Sequence, residues 1–218
     1  MQKELHNLYY VTTPKLFLSA ATLGNGYQIR WNPRELILPR DGIFYICSGM
    51  VRIASLLEDG QRKTLMLAGK GHFLQEVAFF HKKAGDTEIV AFGPVICQFF
   101  PADVVQRLLA EDADFRNAIL FSMASKLSTH MIDLLLTGLP GELRLFYLLG
   151  AIAEHVSMPY TVPLDLYITQ SELADCLGLH RISVNRLIKI LEKRGLIQCS
   201  RGKITLLSMD FWKRQRVK

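Results

Sequence analysis

The chain has 218 residues, a formal net charge of +6 and a hydrophobic fraction of 50%, enough for two modest cores. No apolar run approaches the ~20 residues of a membrane-spanning helix, and the first residues, MQKELHNLYY, lack the apolar stretch of a signal peptide. The sequence therefore predicts a cytoplasmic protein with no membrane partner. Because Cys47, Cys97, Cys176 and Cys199 are far apart and form no CxxC pair, neither a disulfide framework nor a zinc ribbon is expected.

The first half of the chain alternates short β-rich runs with turn signals. ELILPRDGIFYICSGMVRIASLL carries turns at 40–42 and 48–49, and residues 58–60 predict a hairpin onto RKTLMLA. GKGHFLQEVAFF and the polar loop HKKAGDTE follow, and then two more strands, IVAF and VICQFF. Many short strands with no long helix among them indicate a barrel or a sandwich, which we assign to residues 1–112.

A long helix is predicted after Pro101, where the hydrophobic period becomes helical. Between Asp114 and Gly138 apolar residues recur in steps of four, three, four and three, which is the spacing of a heptad seam. The seam consists of Leu120, Ala124, Leu127, Met131 and Leu134. So narrow a stripe favours pairing with a second copy of the chain in a homodimer, and the alternative is a helix packed on its own domain. Residues 113–138 are accordingly expected to form a dimerisation helix.

Residues 139–218 are expected to form a winged helix-turn-helix domain. A new helix, GELRLFYLLGAIAEHV, begins after Pro140, so 138–140 is the expected hinge. Two short helices then meet at Gly178, and Thr169 with Glu172 predicts a capping box at the start of the first. The stretch 197–207, with an Arg-Gly turn between two short strands, resembles the wing of a winged helix.

The second of the two short helices has the pattern of a DNA-reading helix. Val184, Ile188 and Leu191 fall on its inner face, which leaves hydrogen-bond donors for base edges and phosphates on the outer face. The predicted DNA-binding residues are Thr169, Gln170, Ser171, His180, Arg181, Ile182, Ser183, Asn185, Arg186, Lys189 and Arg201.

Charge locates the same region independently. From Leu166 to Lys218 there are eleven lysines and arginines and four aspartates and glutamates, a net charge of +7, so residues 1–165 carry −1. Such a concentration of positive charge is expected of a nucleic-acid-binding domain beside a neutral partner domain. The alternative, a solvated basic tail, does not explain why the charge coincides with a helix-turn-helix pattern.

A β-barrel, a long helix and a terminal winged helix, in that order, resemble the CRP/FNR family of bacterial transcription regulators. The likeness is carried by DGIFYICSGMVRI, by DGQRKTLMLAGKGHFLQEVAFF and most specifically by ITQSELADCLGLHRISVNRLIKILEKRGLI. It implies an α+β fold with an N-terminal cyclic-nucleotide-binding-like β-barrel (double-stranded β-helix), a dimerisation helix and a C-terminal winged helix-turn-helix. It also implies a homodimer that binds a palindromic promoter site in double-stranded DNA, acts with RNA polymerase, and responds to an effector through the central helix.

Two positions depart from the members of the family that bind cyclic AMP. In those members a glycine and a glutamate begin the phosphate cradle, and an arginine followed by serine or threonine completes it. Here Glu76 and Thr87 remain, whereas Gln75 replaces the glycine and Asp86 stands where the arginine should be. Because an arginine pairs bidentately with phosphate and a carboxylate repels it, cyclic nucleotide is not expected as the effector.

The expected effector is instead a small organic molecule in the barrel, with no cofactor and no metal. The resemblance places it near Phe73, Leu74, Gln75, Glu76, Phe79, Asp86, Thr87, Thr129 and His130. The alternative is that Leu74 and Phe79 are core residues and His130 is a solvated helix residue. No cysteine precedes Cys47, which excludes the N-terminal iron–sulfur cluster of the family's oxygen sensors, and a haem would need His72 or His81.

The predicted recognition helix also departs from the family. Many relatives place a glutamate between two arginines, but LHRISVNR has Ile182 after Arg181 and before Arg186. Glutamate accepts a hydrogen bond from cytosine N4, whereas isoleucine makes only apolar contacts, for example with a thymine methyl, so an operator richer in A·T is expected at that step. The combination is similar to the regulators of organohalide respiration, which sense chlorinated aromatics, and it suggests an aromatic effector.

Other functional classes find less support in the sequence. The chain has no nucleotide-loop glycine pattern, no HExxH and no G-x-S-x-G elbow, so it is not expected to be an enzyme and no catalytic residue is assigned. Two alternatives stay open: a redox- or haem-sensing regulator of the same family, and a cyclic-nucleotide-like ligand-binding module without DNA function. The second does not explain the net charge of +7 on residues 166–218, and a gel shift with promoter DNA would distinguish it from a regulator.

Overall fold

The computed structural model describes residues 17–56, 62–82, 87–136, 138–156 and 162–208. They fall into two compact units, an N-terminal unit up to His130 and a C-terminal unit from Met131 onward. The domain bounds 1–112, 113–138 and 139–218 stay a prediction. Within the described ranges, no helix is both long enough and apolar enough to cross a membrane.

The N-terminal unit is built from two antiparallel sheets. Its elements are α1 (Ala20–Leu23), β1 (Tyr27–Trp31), β2 (Gly42–Ser48), β3 (Met50–Leu56), β4 (Arg62–Gly69), β5 (Phe73–Leu74), α2 (Glu76–His81), β6 (Thr87–Ala91), β7 (Val95–Pro101) and α3 (Ala102–Glu111). One sheet has the strand order β1-β7-β2-β5 and the other has the order β4-β3-β6. Among the described residues no strand pair joins the two sheets, and the predicted β-rich N-terminal unit, made of many short strands, is confirmed.

The core of this unit lies between the two sheets because alternate residues of each strand point inward. Phe44 on β2 and Phe99 on β7 pack with Val51 on β3, and the two phenylalanine ring centroids are 4.8 Å apart. Trp31 is partly buried and packs against this cluster, with its ring centroid 5.5 Å from that of Phe44. Cys97 is fully buried there, as expected of a small core residue.

The turn predicted at 48–49 is confirmed, and it requires glycine. Gly49 has φ +87°, and a Cβ at this position would lie 2.2 Å from the carbonyl oxygen of Pro94. Gly49 is the single residue between β2 and β3, so this tight turn takes the chain directly from one sheet to the other.

The helix α4 (Ala113–Leu136) begins in the N-terminal unit, where its first turns pack on a second apolar cluster. Phe115 and Ile119 on α4 lie against Tyr45, Phe73 and Phe100, and the Phe100 and Phe115 ring centroids are 5.3 Å apart. The long helix predicted from the heptad spacing is therefore confirmed, and its first half is anchored to the sheets.

The C-terminal unit is a winged helix. Its elements are α5 (Gly141–Val156), β8 (Leu164–Leu166), α6 (Gln170–Leu177), α7 (Arg181–Lys193), β9 (Ile197–Ser200) and β10 (Lys203–Leu206). The helix α5 begins directly after Pro140 and packs on α6 and α7. The three strands form an antiparallel sheet in the order β8-β10-β9, and the predicted wing turn at 201–202 joins β9 to β10 with φ +73° at Gly202.

Candidate nucleic-acid interface and effector region

The geometry of the helix-turn-helix follows from local sequence signals. The Thr169 hydroxyl accepts a hydrogen bond from the Glu172 N–H at 3.1 Å, and the Glu172 carboxylate accepts one from the Thr169 N–H at 2.7 Å. The predicted capping box is therefore confirmed. Gly178 ends α6 with φ +59°, and its N–H donates to the Ala174 carbonyl, which sets the turn into α7.

The helix α7 presents one buried face and one exposed face. Val184, Ile188 and Leu191 are at most 1% exposed, which confirms the predicted inner face. Ile182 is 70% exposed. This is unusual for an apolar side chain, because an exposed side chain does not contribute the stabilisation that its burial would give. The exposed predicted contacts of this helix are Arg181, Ile182, Ser183, Arg186 and Lys189, whereas Asn185 is half-buried. His180 precedes the helix and is exposed, but its side chain does not cap it.

The remaining predicted DNA contacts lie at the start of α6 and on the wing. Ser171 and Arg201 are exposed, and Thr169 and Gln170 are half-buried. The Gln170 amide nitrogen lies 3.9 Å from the Cys199 sulfur on β9, so the start of α6 contacts the wing strand. These residues and the exposed face of α7 all belong to the C-terminal unit.

Polar contacts that the sequence did not predict hold the ends of α6 and α7 in place. Arg194, at the end of α7, forms an ion pair with Glu142 on α5. The Glu192 carboxylate accepts a hydrogen bond from the Cys199 N–H at 2.8 Å and so joins α7 to the wing. The Arg144 guanidinium donates to the Leu177 carbonyl at the end of α6. The contacts of Arg194 and Arg144 join residues 52 and 33 positions apart, so no local pattern indicates them.

A second polar cluster stiffens the wing sheet. The Asp165 carboxylate accepts hydrogen bonds from Lys203 at 2.9 Å and from the Thr205 hydroxyl at 2.7 Å. These two bonds lower the pKa of Asp165, and the bond to Asp165 is the main cause that raises the pKa of Lys203. Lys203 is thus a charged wing residue whose ammonium already has a carboxylate partner.

Five of the nine residues assigned to the effector region lie in the β5–α2 segment. Phe73 and Leu74 are fully buried, each in a separate apolar cluster, and Phe79 is half-buried. Gln75 has φ +68°, a left-handed conformation that favours glycine, although a glutamine stands here. Its side-chain oxygen accepts a hydrogen bond from the Arg40 N–H at 3.3 Å. Gln75 thus has a backbone conformation that favours glycine, the residue that the resemblance predicts at this position.

Glu76 forms a buried ion pair that the sequence did not predict. Its carboxylate is 1% exposed and contacts the ammonium of Lys126 on α4, whose side chain is 11% exposed. The same ammonium donates to the Phe73 carbonyl at 2.5 Å, and the Ser122 hydroxyl accepts from the Phe73 N–H at 3.0 Å. Ser122 and Lys126 are four residues apart, so they lie on one face of α4 and fix it to the β5–α2 segment.

The other predicted effector residues lie outside the β5–α2 segment. Thr129 is 3% exposed and its hydroxyl donates to the Ser125 carbonyl of its own helix at 2.9 Å. His130 is half-buried, and Thr87 is exposed at the start of β6. Asp86 lies outside the described residues. The structure therefore brings Phe73, Glu76 and α4 together and leaves Thr87 at the surface.

The predicted seam forms an exposed apolar stripe on α4. Leu120, Leu127 and Met131 are 64%, 63% and 62% exposed, and Ala124 between them is also exposed. The side chain of Leu134 lies outside the described part of the helix. Since Ser122, Lys126 and Thr129 are buried, the stripe is on the opposite side of α4 from the face that packs on the N-terminal unit.

Comparison with known proteins supports the division of roles between the two units. A family model described as a Crp-like helix-turn-helix domain matches residues 143–211, and one described as a cyclic nucleotide-binding domain matches residues 38–112. The Global nitrogen regulator of Synechococcus elongatus is 23% identical over 175 residues, which cover 78% of this chain and 79% of that protein. The CRP-like cAMP-activated global transcriptional regulator of Mycobacterium tuberculosis is 25% identical over 175 residues, with coverages of 78% and 77%.

Solved structures have the same fold. A transcriptional regulator of the CRP/FNR family from Thermus thermophilus matches with a TM-score of 0.73 and 23% identity, over 88% of this chain and 99% of that chain. A cyclic-nucleotide-binding-like unit joined to a winged helix defines an effector-responsive transcription regulator. The chain belongs to the CRP/FNR family.

Proposed function

We propose that this regulator binds an inverted-repeat promoter site as a homodimer and responds to a small organic molecule, such as an aromatic compound, instead of cyclic AMP. The observation that carries the proposal is α7, whose buried inner face leaves Arg181, Ile182 and Arg186 exposed within the stretch 166–218, which has a net charge of +7. Side chains near the start of such a helix enter the major groove. The protein would act in the cytoplasm, where its promoter DNA and RNA polymerase are found.

The exposed stripe on α4 supports the homodimer. Three large apolar side chains on one face of this helix are more than 60% exposed in the single chain. Burying them in an interface would add hydrophobic stabilisation that the single chain lacks. A second copy of the same helix buries all of them at once, because heptad spacing keeps the stripe facing its partner. A two-fold dimer presents two recognition helices about one helical turn of DNA apart, which matches an inverted repeat.

The buried ion pair supports an effector without a net charge. The charge of Glu76 is already balanced by Lys126 among side chains that are almost entirely excluded from water. Adding a charged group to this region would leave one charge without a partner, which is costly in a desolvated site. A neutral molecule with a hydroxyl or amide avoids that penalty, whereas a cyclic nucleotide brings a phosphate charge.

Neither cyclic AMP nor cyclic GMP is expected to bind with useful affinity. Asp86 stands where the phosphate-binding arginine of other members is found, and a carboxylate repels the phosphate. Isothermal titration calorimetry of the purified protein with each nucleotide should give no binding heat, and the Asp86→Arg variant should recover part of the phosphate attraction. Tight binding of either nucleotide to the unaltered protein would show that another cation serves the phosphate.

Exchanging Ile182 for glutamate is expected to change which bases are read. A glutamate between Arg181 and Arg186 accepts from cytosine N4, so preference at the facing step should move from A·T to G·C by about 1–3 kcal/mol. Selection of sites from random DNA with the wild type and with Ile182→Glu measures this shift. Since Ile182 is 70% exposed, the substitution should leave folding intact.

Two further variants serve as references in that selection. Lys189→Glu introduces a carboxylate on the same exposed face, but farther from the start of α7, and should weaken binding without changing the preferred bases. Arg186→Ala should lose about 1–3 kcal/mol of discrimination. An identical selected sequence for the wild type and Ile182→Glu would mean that Ile182 does not face the bases.

A further inference from the structure

Tyr167 is the most exposed large apolar side chain among the described residues, with an exposed fraction of 76%. Its neighbours Leu166 and Ile168 are each 1% exposed, and the Ile168 N–H donates to the Leu166 carbonyl at 3.0 Å. Because both neighbours are anchored in the core, the backbone holds the tyrosine ring at the surface. Folding gains little from an aromatic ring in this position, so packing does not explain it.

Tyr167 lies between the wing and the start of α6. Leu166 pairs with Ile204 on β10, which places the tyrosine at the end of β8 that is next to Lys203 and the wing turn. Two residues later Thr169 caps α6, the helix whose first residue, Gln170, contacts the wing strand β9. The tyrosine is therefore flanked by predicted DNA contacts on both sides, although no local motif indicated it.

Near Tyr167, one cation is exposed and another is already paired with a carboxylate. An anionic partner could therefore be bound by the exposed cation together with an uncharged hydrogen-bond donor. Lys203 donates to Asp165 at 2.9 Å, so its positive charge is largely balanced within the sheet. Arg201 on the wing turn remains exposed. A phenol hydroxyl donates a hydrogen bond without carrying a charge, and tyrosine hydroxyls are among the groups that bind DNA phosphates.

We propose that the Tyr167 hydroxyl donates a hydrogen bond to a phosphate oxygen of the DNA backbone and positions the wing side of the C-terminal unit on the operator. This inference rests on the proposed function, since it assumes that the unit binds DNA. A phosphate contact adds affinity for every sequence alike. Because tyrosine is neutral, it should add that affinity without contributing to the salt dependence of binding.

The test is DNA binding by Tyr167→Phe, measured by fluorescence anisotropy of the full chain at several KCl concentrations. The probes are a labelled inverted repeat obtained by selection and an unrelated duplex of the same length. Tyr167→Phe should weaken binding to both duplexes by about tenfold, the effect of losing a hydrogen bond to a charged group. For Tyr167→Phe, the slope of log affinity against log KCl concentration should be unchanged. For Arg201→Ala, the magnitude of that slope should decrease by about 0.9 for each phosphate that the arginine neutralises.

Tyr27→Phe is the matched control, because Tyr27 is a 48% exposed tyrosine of the N-terminal unit, and it should bind like the wild type. Wild-type affinity in Tyr167→Phe would overturn the inference and would favour a protein partner for this surface. A loss confined to the selected sequence would overturn it too, since it would indicate base reading. If the wild type bound neither duplex, the proposed function itself would fail together with this inference.

Discussion

Replacing Lys126 by methionine is expected to lower the free energy of unfolding of the N-terminal unit by about 3–5 kcal/mol. The substitution leaves the Glu76 carboxylate, which is 1% exposed, without its cation, and it removes the donor to the Phe73 carbonyl. An unpaired charge in the protein interior is among the most destabilising single changes, because water no longer solvates it. The expected loss is a large part of the stability of an ordinary domain.

Urea unfolding followed by the fluorescence of Trp31 measures this effect. Trp31 packs on Phe44 in the core of the N-terminal unit, and a Trp212→Phe background leaves it as the sole tryptophan of the two in the chain. The double variant Glu76→Leu with Lys126→Met should recover most of the loss, because replacing both partners leaves no buried charge. Glu142→Gln is the control, since it breaks the more exposed Glu142–Arg194 pair and should change stability by less than about 1 kcal/mol.

The account of the ion pair would be wrong if Lys126→Met unfolded at the same urea concentration as the reference. It would also be wrong if the double variant were less stable than Lys126→Met and than Glu76→Leu made singly, since two independent losses would then add. Either result would mean that Lys126 and Glu76 are hydrated enough to tolerate separation.

The second large effect is expected from charges on the α4 stripe. Leu127→Glu combined with Met131→Glu should convert the homodimer into monomers, because a two-fold axis brings identical carboxylates close to one another in an apolar seam. The affinity for the inverted repeat should fall by about 10²–10⁴, the advantage that two linked recognition helices have over one. Since both side chains are more than 60% exposed in the single chain, its stability should change by no more than about 0.5 kcal/mol.

Sedimentation equilibrium and anisotropy with the same protein samples measure the two expected losses. Gln106→Glu with Ala110→Glu is the control, because it places two glutamates at the same spacing on exposed positions of α3. This control should remain dimeric and bind DNA like the wild type. A dimeric Leu127→Glu/Met131→Glu variant with normal DNA affinity would show that the chain pairs through another surface.

Local signals were sufficient to predict most of the C-terminal unit. The capping box at Thr169 and the left-handed Gly178 each depend on residues within one helical turn, so spacing alone identifies them. The burial of Val184, Ile188 and Leu191 follows from helical periodicity in the same way. The exposed stripe on α4 also follows from spacing, although its partner does not.

Features that depend on distant parts of the chain were missed. Lys126 and Glu76 are fifty residues apart, and a lysine within a helical pattern is normally a solvated residue. The helix α2 has six residues, too few to show a period, and the left-handed backbone at Gln75 is unexpected for a residue other than glycine. The exposure of Tyr167 was not predicted, because it depends on the pairing of β8 with β10.

The central claim is that α7 reads an inverted repeat, and sequencing the genomic fragments that the purified protein retains tests it most directly. Genomic DNA of the organism that encodes the chain is sheared, captured by the wild type and by Arg181→Ala/Arg186→Ala, and sequenced. The fragments retained by the wild type alone should share an inverted repeat with half-sites about one helical turn apart. Retention of the same fragments by the variant, or fragments with no shared sequence, would contradict the account.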